Sequence, residues 1–382
     1  MTAADGRRAM NLNLITSLES IGYGYVGRYI LKELMIAGVR VALFPRSYAR
    51  SVSDDPRHPV NVGVANAERY DPSAPSVRIA QARTQAEHLG RGKHVGFPIF
   101  ELDRLDAAEI HHLQQLDAVL VCSKWAAGVI ASSGVNTPLF VAPLGVNRSI
   151  FHDGVREGRS HDRPHEPGPT VFVNNGKWEW RKGHDFLLKA FCKAFAPRDN
   201  FVLKLLCRSY VLTAEGNDSW AKVFISSKIG PKVQLLPRVA TQAEVAALLA
   251  ECDCGVFPSR AEGWNLGLLE CMSIGLNVIA TDYSAHTEFV NAANCRLVHV
   301  DETEPPPAGD LLWGTGNWGK LGPAQMEQMV HHLREVHRLK QDGTLRRNDA
   351  GIATAKEFTW RRTAAAVLRA VQARGLPVPE SL

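Results

Sequence analysis

Apolar and polar positions along the chain fall into two successive series of short apolar runs alternating with helical stripes. Asn11 to Thr16 alternates between the two classes and predicts a first strand. Val26, Ile30, Leu34 and Ile36 then recur at helical spacing, and Gly38 supplies a helix stop. Val39 to Phe44 predicts the second strand of a βαβ start. Ser47 to Gly92 is polar and Pro-containing, with no period that assigns an element. Beyond it, His94 to Glu101 and Ala118 to Ser123 predict strands, Ser123 to Ser133 a helix ended by Gly134, and Leu139 to Pro143 another strand.

Arg156 to Pro169 is rich in Arg, His, Pro and Gly, which is linker chemistry. The alternation then restarts. Strands are predicted at Thr170 to Asn174, Phe201 to Leu206, Lys232 to Leu235, Cys254 to Pro258 and Asn277 to Thr281. Helices are predicted at His184 to Phe195, Thr241 to Glu251 and Leu266 to Ile274. Thr241 followed by Glu244 reads as a capping box. Glu302 to Pro323, with its run of prolines, reads as a surface loop, and helices close the chain, the last over Thr359 to Ala373. Two βα series joined by a linker predict an α/β protein of two doubly wound, Rossmann-like domains facing each other across a cleft. The expected divisions are one Rossmann-like domain over 1–150, a second over 151–357, and a helix over 358–382 that packs back toward the first domain.

Composition narrows this picture only slightly. A chain of 382 residues with 45% hydrophobic and 22% charged content is an ordinary globular protein long enough for two cores. The net charge of +5 gives no strong nucleic-acid signal. Seven scattered cysteines, with Cys252 and Cys254 at the wrong spacing for a zinc knuckle or redox pair, read as buried free thiols of a reducing compartment. With no apolar leader and no uninterrupted apolar span, the expected location is the cytoplasm. The last helix carries Arg361, Arg362, Arg369 and Arg374 opposite Val367, Leu368 and Val371. It predicts an amphipathic helix packed on a domain, with peripheral contact at the inner membrane face left open.

The candidate chemistry lies in three places. Glu262-Gly263-Trp264-Asn265-Leu266-Gly267-Leu268-Leu269-Glu270 follows Phe257-Pro258-Ser259-Arg260. A turn at Gly263 entering a helix presents unpaired N–H groups and a positive dipole end to an anion. Carboxylates on either side can accept hydrogen bonds from sugar hydroxyls, so the segment describes a nucleotide sugar. Asn174-Asn175-Gly176-Lys177 and Arg181-Lys182-Gly183-His184-Asp185 place cations at the matching edge of the same predicted sheet, where they can neutralise a diphosphate leaving group. Alone, such cations would read as a solvated loop. Gly22, Gly24 and Gly27 match the spacing of a dinucleotide fingerprint, but Ser17 to Ser20 intervenes after the strand and Pro45-Arg46 stands where a ribose-binding acid belongs. A phosphate or acceptor loop at a helix start fits them better than an NAD(P) site. Trp264 reads equally as a sugar platform and as a wall. His184 reads equally as a helix start and a ligand contact. His111-His112 and His331-His332 lie in predicted helices with no third ligand in sight, so no metal is expected.

Taken together, Val173 to Lys177, Lys182 to Phe191 and Phe257 to Glu270 resemble the C-terminal domain of family-4 retaining glycosyltransferases (group 1, GT-B fold). Pro143 to Asn147 with Phe151 resembles their interdomain segment, and Gly22 to Gly27 their N-terminal glycine loop. The resemblance implies a nucleotide-diphosphate sugar as co-substrate, no cofactor or required metal, and retention of anomeric configuration. It implies Lys182 at the diphosphate, Glu262 beside the sugar ring, and the backbone of Gly263 to Leu266, Asn265 included, at sugar and phosphate. Glu270 would meet the ribose hydroxyls. Lys177 stands where the family usually has Arg, which keeps the charge and loses the fork. No N-domain histidine aligns. His88, His94 and Glu101 are candidates near the reacting carbon, with Glu101 best placed. The acceptor is left open among glycan, lipid-linked sugar and small molecule. A GT-B phosphorylase or epimerase, a Rossmann oxidoreductase and a non-catalytic nucleotide-sugar binder are the alternatives.

Overall fold

The computed structural model describes residues 10–19, 22–46, 53–157, 168–209, 212–237, 239–307 and 315–373. The chain divides into two compact units: residues 1–100, 104–145 and 359–382 form one, and residues 101–103 with 146–358 form the other.

In the first unit, β1 (Asn11–Thr16), β2 (Arg40–Pro45), β3 (Ser76–Ala80), β4 (His94–Pro98), β5 (Ala118–Val121) and β6 (Leu139–Val141) form one parallel sheet ordered β2-β1-β3-β4-β5-β6. Its helices are α1 (Gly22–Ile36), α2 (Pro59–Ala67), α3 (Ala107–Gln114) and α4 (Lys124–Ser132). The four residues of β5 are all buried, as an interior parallel strand requires. Ser123 caps α4 by accepting from Ala126 N, which ends β5 and starts the helix within three residues.

The second unit repeats the plan. Its strands are β7 (Thr170–Gly176), β8 (Phe201–Cys207), β9 (Val233–Leu235), β10 (Cys254–Phe257), β11 (Asn277–Thr281) and β12 (Arg296–Val298), all parallel, in the order β12-β11-β10-β7-β8-β9. The helices are α5 (His184–Ala194), α6 (Ala214–Ile225), α7 (Gln242–Ala250), α8 (Leu266–Ser273), α9 (Pro323–Gln341) and α10 (Asp349–Glu357). α5 buries Phe186, Leu187, Ala190, Phe191 and Ala194, a stripe at helical spacing laid on Phe172, Phe201 and Leu203 of the sheet. The chain runs β7, β8, β9 outward to one side, then returns to place β10 on the other side of β7. Order therefore reverses between β7 and β10, and the loops leaving the carboxyl ends of these two strands open a crevice.

Several expectations change. Gly22 to Gly27 is not a loop but the first turns of α1. A Cβ on Gly24 would lie 1.8 Å from Glu19 O and one on Gly27 2.3 Å from Thr16 Oγ1, so these glycines let the helix approach the end of β1. The unassigned stretch Ser47 to Gly92 holds α2 and β3. β4 stops at Pro98, so Glu101 lies beyond the strand. β7 continues two residues past Asn174. Within Glu302 to Pro323, β13 (Thr303–Glu304) and β14 (Trp318–Gly319) pair antiparallel, and Trp318 is buried with Leu102 and Ala261. Trp313, the linker core at 158–167 and Arg374 lie outside the described residues.

The last helix, α11 (Trp360–Gln372), belongs to the first unit, where Trp360 stacks on Tyr29 with ring centroids 4.9 Å apart. Val367 and Val371 are buried, while Arg361, Arg362 and Arg369 point outward. Its apolar face is thus occupied by protein. Among the described residues, no helix is long and apolar enough to cross a membrane.

Candidate active site

Two loops of the second unit bring the chemistry together at the point where the strand order reverses. The loop after β7 carries Lys177 to Gly183 into α5; the loop after β10 carries Pro258 to Asn265 into α8. Gly183 joins them. It is left-handed (φ 72°), and a Cβ there would lie 1.9 Å from Pro258 O, so only glycine lets the backbone of one loop rest on the other.

Glu262 is the centre of the arrangement. Its Oε1 accepts from Lys182 Nζ (2.6 Å) and Ser259 Oγ (2.7 Å), and its Oε2 from Arg181 Nη1 (2.8 Å). Its backbone N–H donates to Ser284 Oγ (2.8 Å). Burial would raise this carboxyl's pKa, but Lys182 and Arg181 outweigh it and hold the group far below the usual carboxylate range. Arg181 is the most enclosed cation of the group. It meets Glu179 (2.7 Å), Glu262 (2.8 Å) and Glu101 (3.8 Å), and donates to Ala261 O (2.8 Å). Lys177 turns onto Glu179 (2.7 Å). Arg260 forks onto Asp185 (2.8 and 2.9 Å) and donates to Trp180 O, tying the β10 loop to the start of α5.

Glu270, at the start of the second turn of α8, is buried, and among the described residues no cation is paired with it. Burial alone pushes its carboxyl up to about 7. Glu101 follows β4 yet belongs to the second unit, beside Arg181, and burial also raises its pKa against the pull of that guanidinium.

The turn into α8 is made by Asn265, not Gly263. Asn265 is left-handed (φ 82°, ψ 76°) and caps the helix by accepting from Leu268 N (3.2 Å) through Oδ1. Leu266 opens the helix. Trp264 is enclosed by Phe289 (5.0 Å) and Phe358 (5.6 Å), so it walls the turn from behind and offers no ring face to a sugar. His184 is fully buried and bonded to Asn174 Oδ1 and Glu179 O; burial lowers its pKa to about 4, which makes it a packing residue rather than a ligand contact. His88 and His94 stack on one another (4.7 Å) at the amino end of β4, the wrong end of a parallel sheet for a site. The site also holds Arg181, Ser259 and Ser284, which the sequence alone does not single out. Arg181 and Ser259 were at least visible as neighbours of Lys182 and Glu262; nothing in the local sequence marks Ser284.

His331 and His332 do acquire a third group, Glu335, the only such cluster among the described residues. The guanidinium of Arg296 already holds Glu335 at 2.8 Å, which opposes a cation there. His111 and His112 gain no such partner among the described residues.

Two doubly wound units, with cations and a clamped carboxylate at the switch point of the second, define a GT-B fold. Sucrose-phosphate synthase from Thermosynechococcus elongatus shares this fold at a TM-score of 0.64 and 16% identity, over 94% of this chain and 98% of its own. Residues 169–305 match the family described as Glycosyl transferases group 1. The chain is 26% identical over 292 residues to an MMP alpha-(1->4)-mannosyltransferase of Mycolicibacterium hassiacum, covering 76% of this chain and 60% of that one. It is 28% identical over 141 residues to a D-inositol 3-phosphate glycosyltransferase of Pseudarthrobacter chlorophenolicus, covering 37% and 33%. It spans between 33% and 60% of the length of the curated relatives it matches.

Proposed function

We propose that the protein transfers a sugar from a nucleotide-diphosphate sugar to a hydroxyl acceptor with retention of configuration and without a metal. The observation that carries this reading is Glu262, clamped by Lys182 and Arg181 at the mouth of α8, with the unpaired Glu270 further along the same segment. Lys182 is the less enclosed of the two cations and is free to shift toward a diphosphate at the α8 N-terminus. Glu270 would accept the ribose hydroxyls. In the transfer, the bond from the anomeric carbon to the diphosphate oxygen breaks and the bond to the acceptor oxygen forms. The acceptor proton passes to the leaving phosphate, and the nucleoside diphosphate departs. Glu101, held by Arg181 at a longer distance than Glu179 or Glu262 are, is the carboxylate best able to orient the acceptor hydroxyl. Lys177, paired with Glu179, supports the diphosphate from further out.

The test is turnover with a panel of UDP-, GDP-, ADP- and TDP-sugars, GDP-mannose first because one relative is named as a mannosyltransferase. Glu262→Gln and Lys182→Gln proteins that still fold should lose at least roughly 100-fold in kcat/KM, the scale for removing a group that meets transition-state charge. EDTA should leave the rate unchanged. Wild-type rates in both variants would sink the proposal; donor affinity without turnover would mark a binding protein instead.

A further inference from the structure

His286 has no role in the chemistry above, yet it is fully buried and bonded at both ring nitrogens. Nδ1 lies 2.9 Å from Thr281 O, a group that only accepts, so Nδ1 carries the proton. Nε2 lies 2.9 Å from Asn265 Nδ2. The other end of that amide, Oδ1, is taken by Leu268 N–H, so the amide nitrogen faces the ring and donates. Nε2 is therefore the bare, accepting nitrogen. The turn that carries His286 also holds the other end of the donor segment: Ser284 Oγ accepts from Glu262 N, and Ala285 N donates to Glu262 O (3.2 Å). Thr281 Oγ1 donates to Ser259 O (2.6 Å), and Ser259 Oγ reaches Glu262.

We propose that His286, as its Nδ1–H tautomer, is a positioning residue for the donor turn. It anchors the Asn265 amide, and through it the left-handed step that aims the α8 N-terminus and sets the spacing of Glu262 and Glu270. This rests on the nucleotide-sugar reading for its kinetic consequence, but not for its geometry. The step at Asn265 costs an L-residue conformational energy, and a side-chain amide bonded at both ends offsets that cost.

The experiment compares three substitutions in the full chain. His286→Gln keeps an acceptor for Asn265, His286→Asn keeps only a donor toward Thr281, and His286→Leu keeps neither. The Gln protein should hold the donor KM within about threefold, while the Asn and Leu proteins raise it roughly tenfold or more with a smaller change in kcat, the scale of one buried hydrogen-bond partner lost. Asn265→Gly should raise KM similarly, and adding His286→Leu to it should change little further. Imidazole 15N NMR of the wild type should show a protonated Nδ1 and a bare Nε2. A protonated Nε2, additive effects of the two substitutions, or Leu and Asn proteins with wild-type KM would each overturn the proposal. If the wild type turns over no nucleotide sugar, the functional reading falls, and the NMR tautomer with the shift of the Asn265 amide protons still decides the geometry.

Discussion

Glu262 and Glu270 are the same residue type on one short segment, and their surroundings drive them in opposite directions. Glu262 is matched by two cations and a hydroxyl; Glu270 is enclosed with none. The Glu270 carboxyl, raised by burial from 4.5 to about 7, keeps its proton in the folded protein over a range where the unfolded chain releases it. Stability from this group therefore falls as pH rises from about 4.5 through about 7, by up to roughly 3 kcal/mol. Glu270→Gln should melt like the wild type near pH 5 and at a higher temperature near pH 8, as thermal unfolding at the two pH values will show. Glu262, Lys182 and Glu270 were legible as candidates because charge and spacing are written in the sequence; the role of each belongs to the proposed function. Arg181 was not, because its importance comes from three carboxylates delivered by three separate stretches of chain.

At the scale of elements, most strands and helices of the second unit were legible, since interior parallel strands are unbroken apolar runs and α5 and α7 carry clear stripes or caps. The turns were not. Gly22 to Gly27 read as a loop because glycine signals flexibility in sequence, whereas here it signals close approach between helix and strand. Gly263 was expected to turn the chain and Asn265 does so instead, since both residue types tolerate the left-handed region and only the fold decides between them. Gly183 gives the sharpest test. An Ala there meets both a positive φ and the Pro258 carbonyl, so Gly183→Ala should cost at least about 2 kcal/mol in denaturant unfolding. It should also weaken donor binding by separating Lys182 from Glu262.

On the scale of the whole molecule, the path of the chain departs from a simple division into consecutive halves. Residues 101–103 belong with the second unit, and the C-terminal segment returns to the first. The second unit thus includes Glu101, which follows β4 of the other sheet by only three residues. Trp360 anchors the returning helix on Tyr29, and Trp360→Ala should remove roughly 3–5 kcal/mol from the first unit alone. Calorimetry should then show one transition lowered while the transition of the second unit stays in place.

Lys177, Lys182 and Arg181 face Glu179, Glu262 and Glu101, three positive groups against three negative ones. The site is therefore its own counterion. Stray phosphate or chloride gains little by entering it, because each cation already has a carboxylate at contact. On the proposed function, a nucleotide sugar would have to win its place by exchanging partners and by its hydroxyls as well as its charge, so discrimination would begin before any bond is broken.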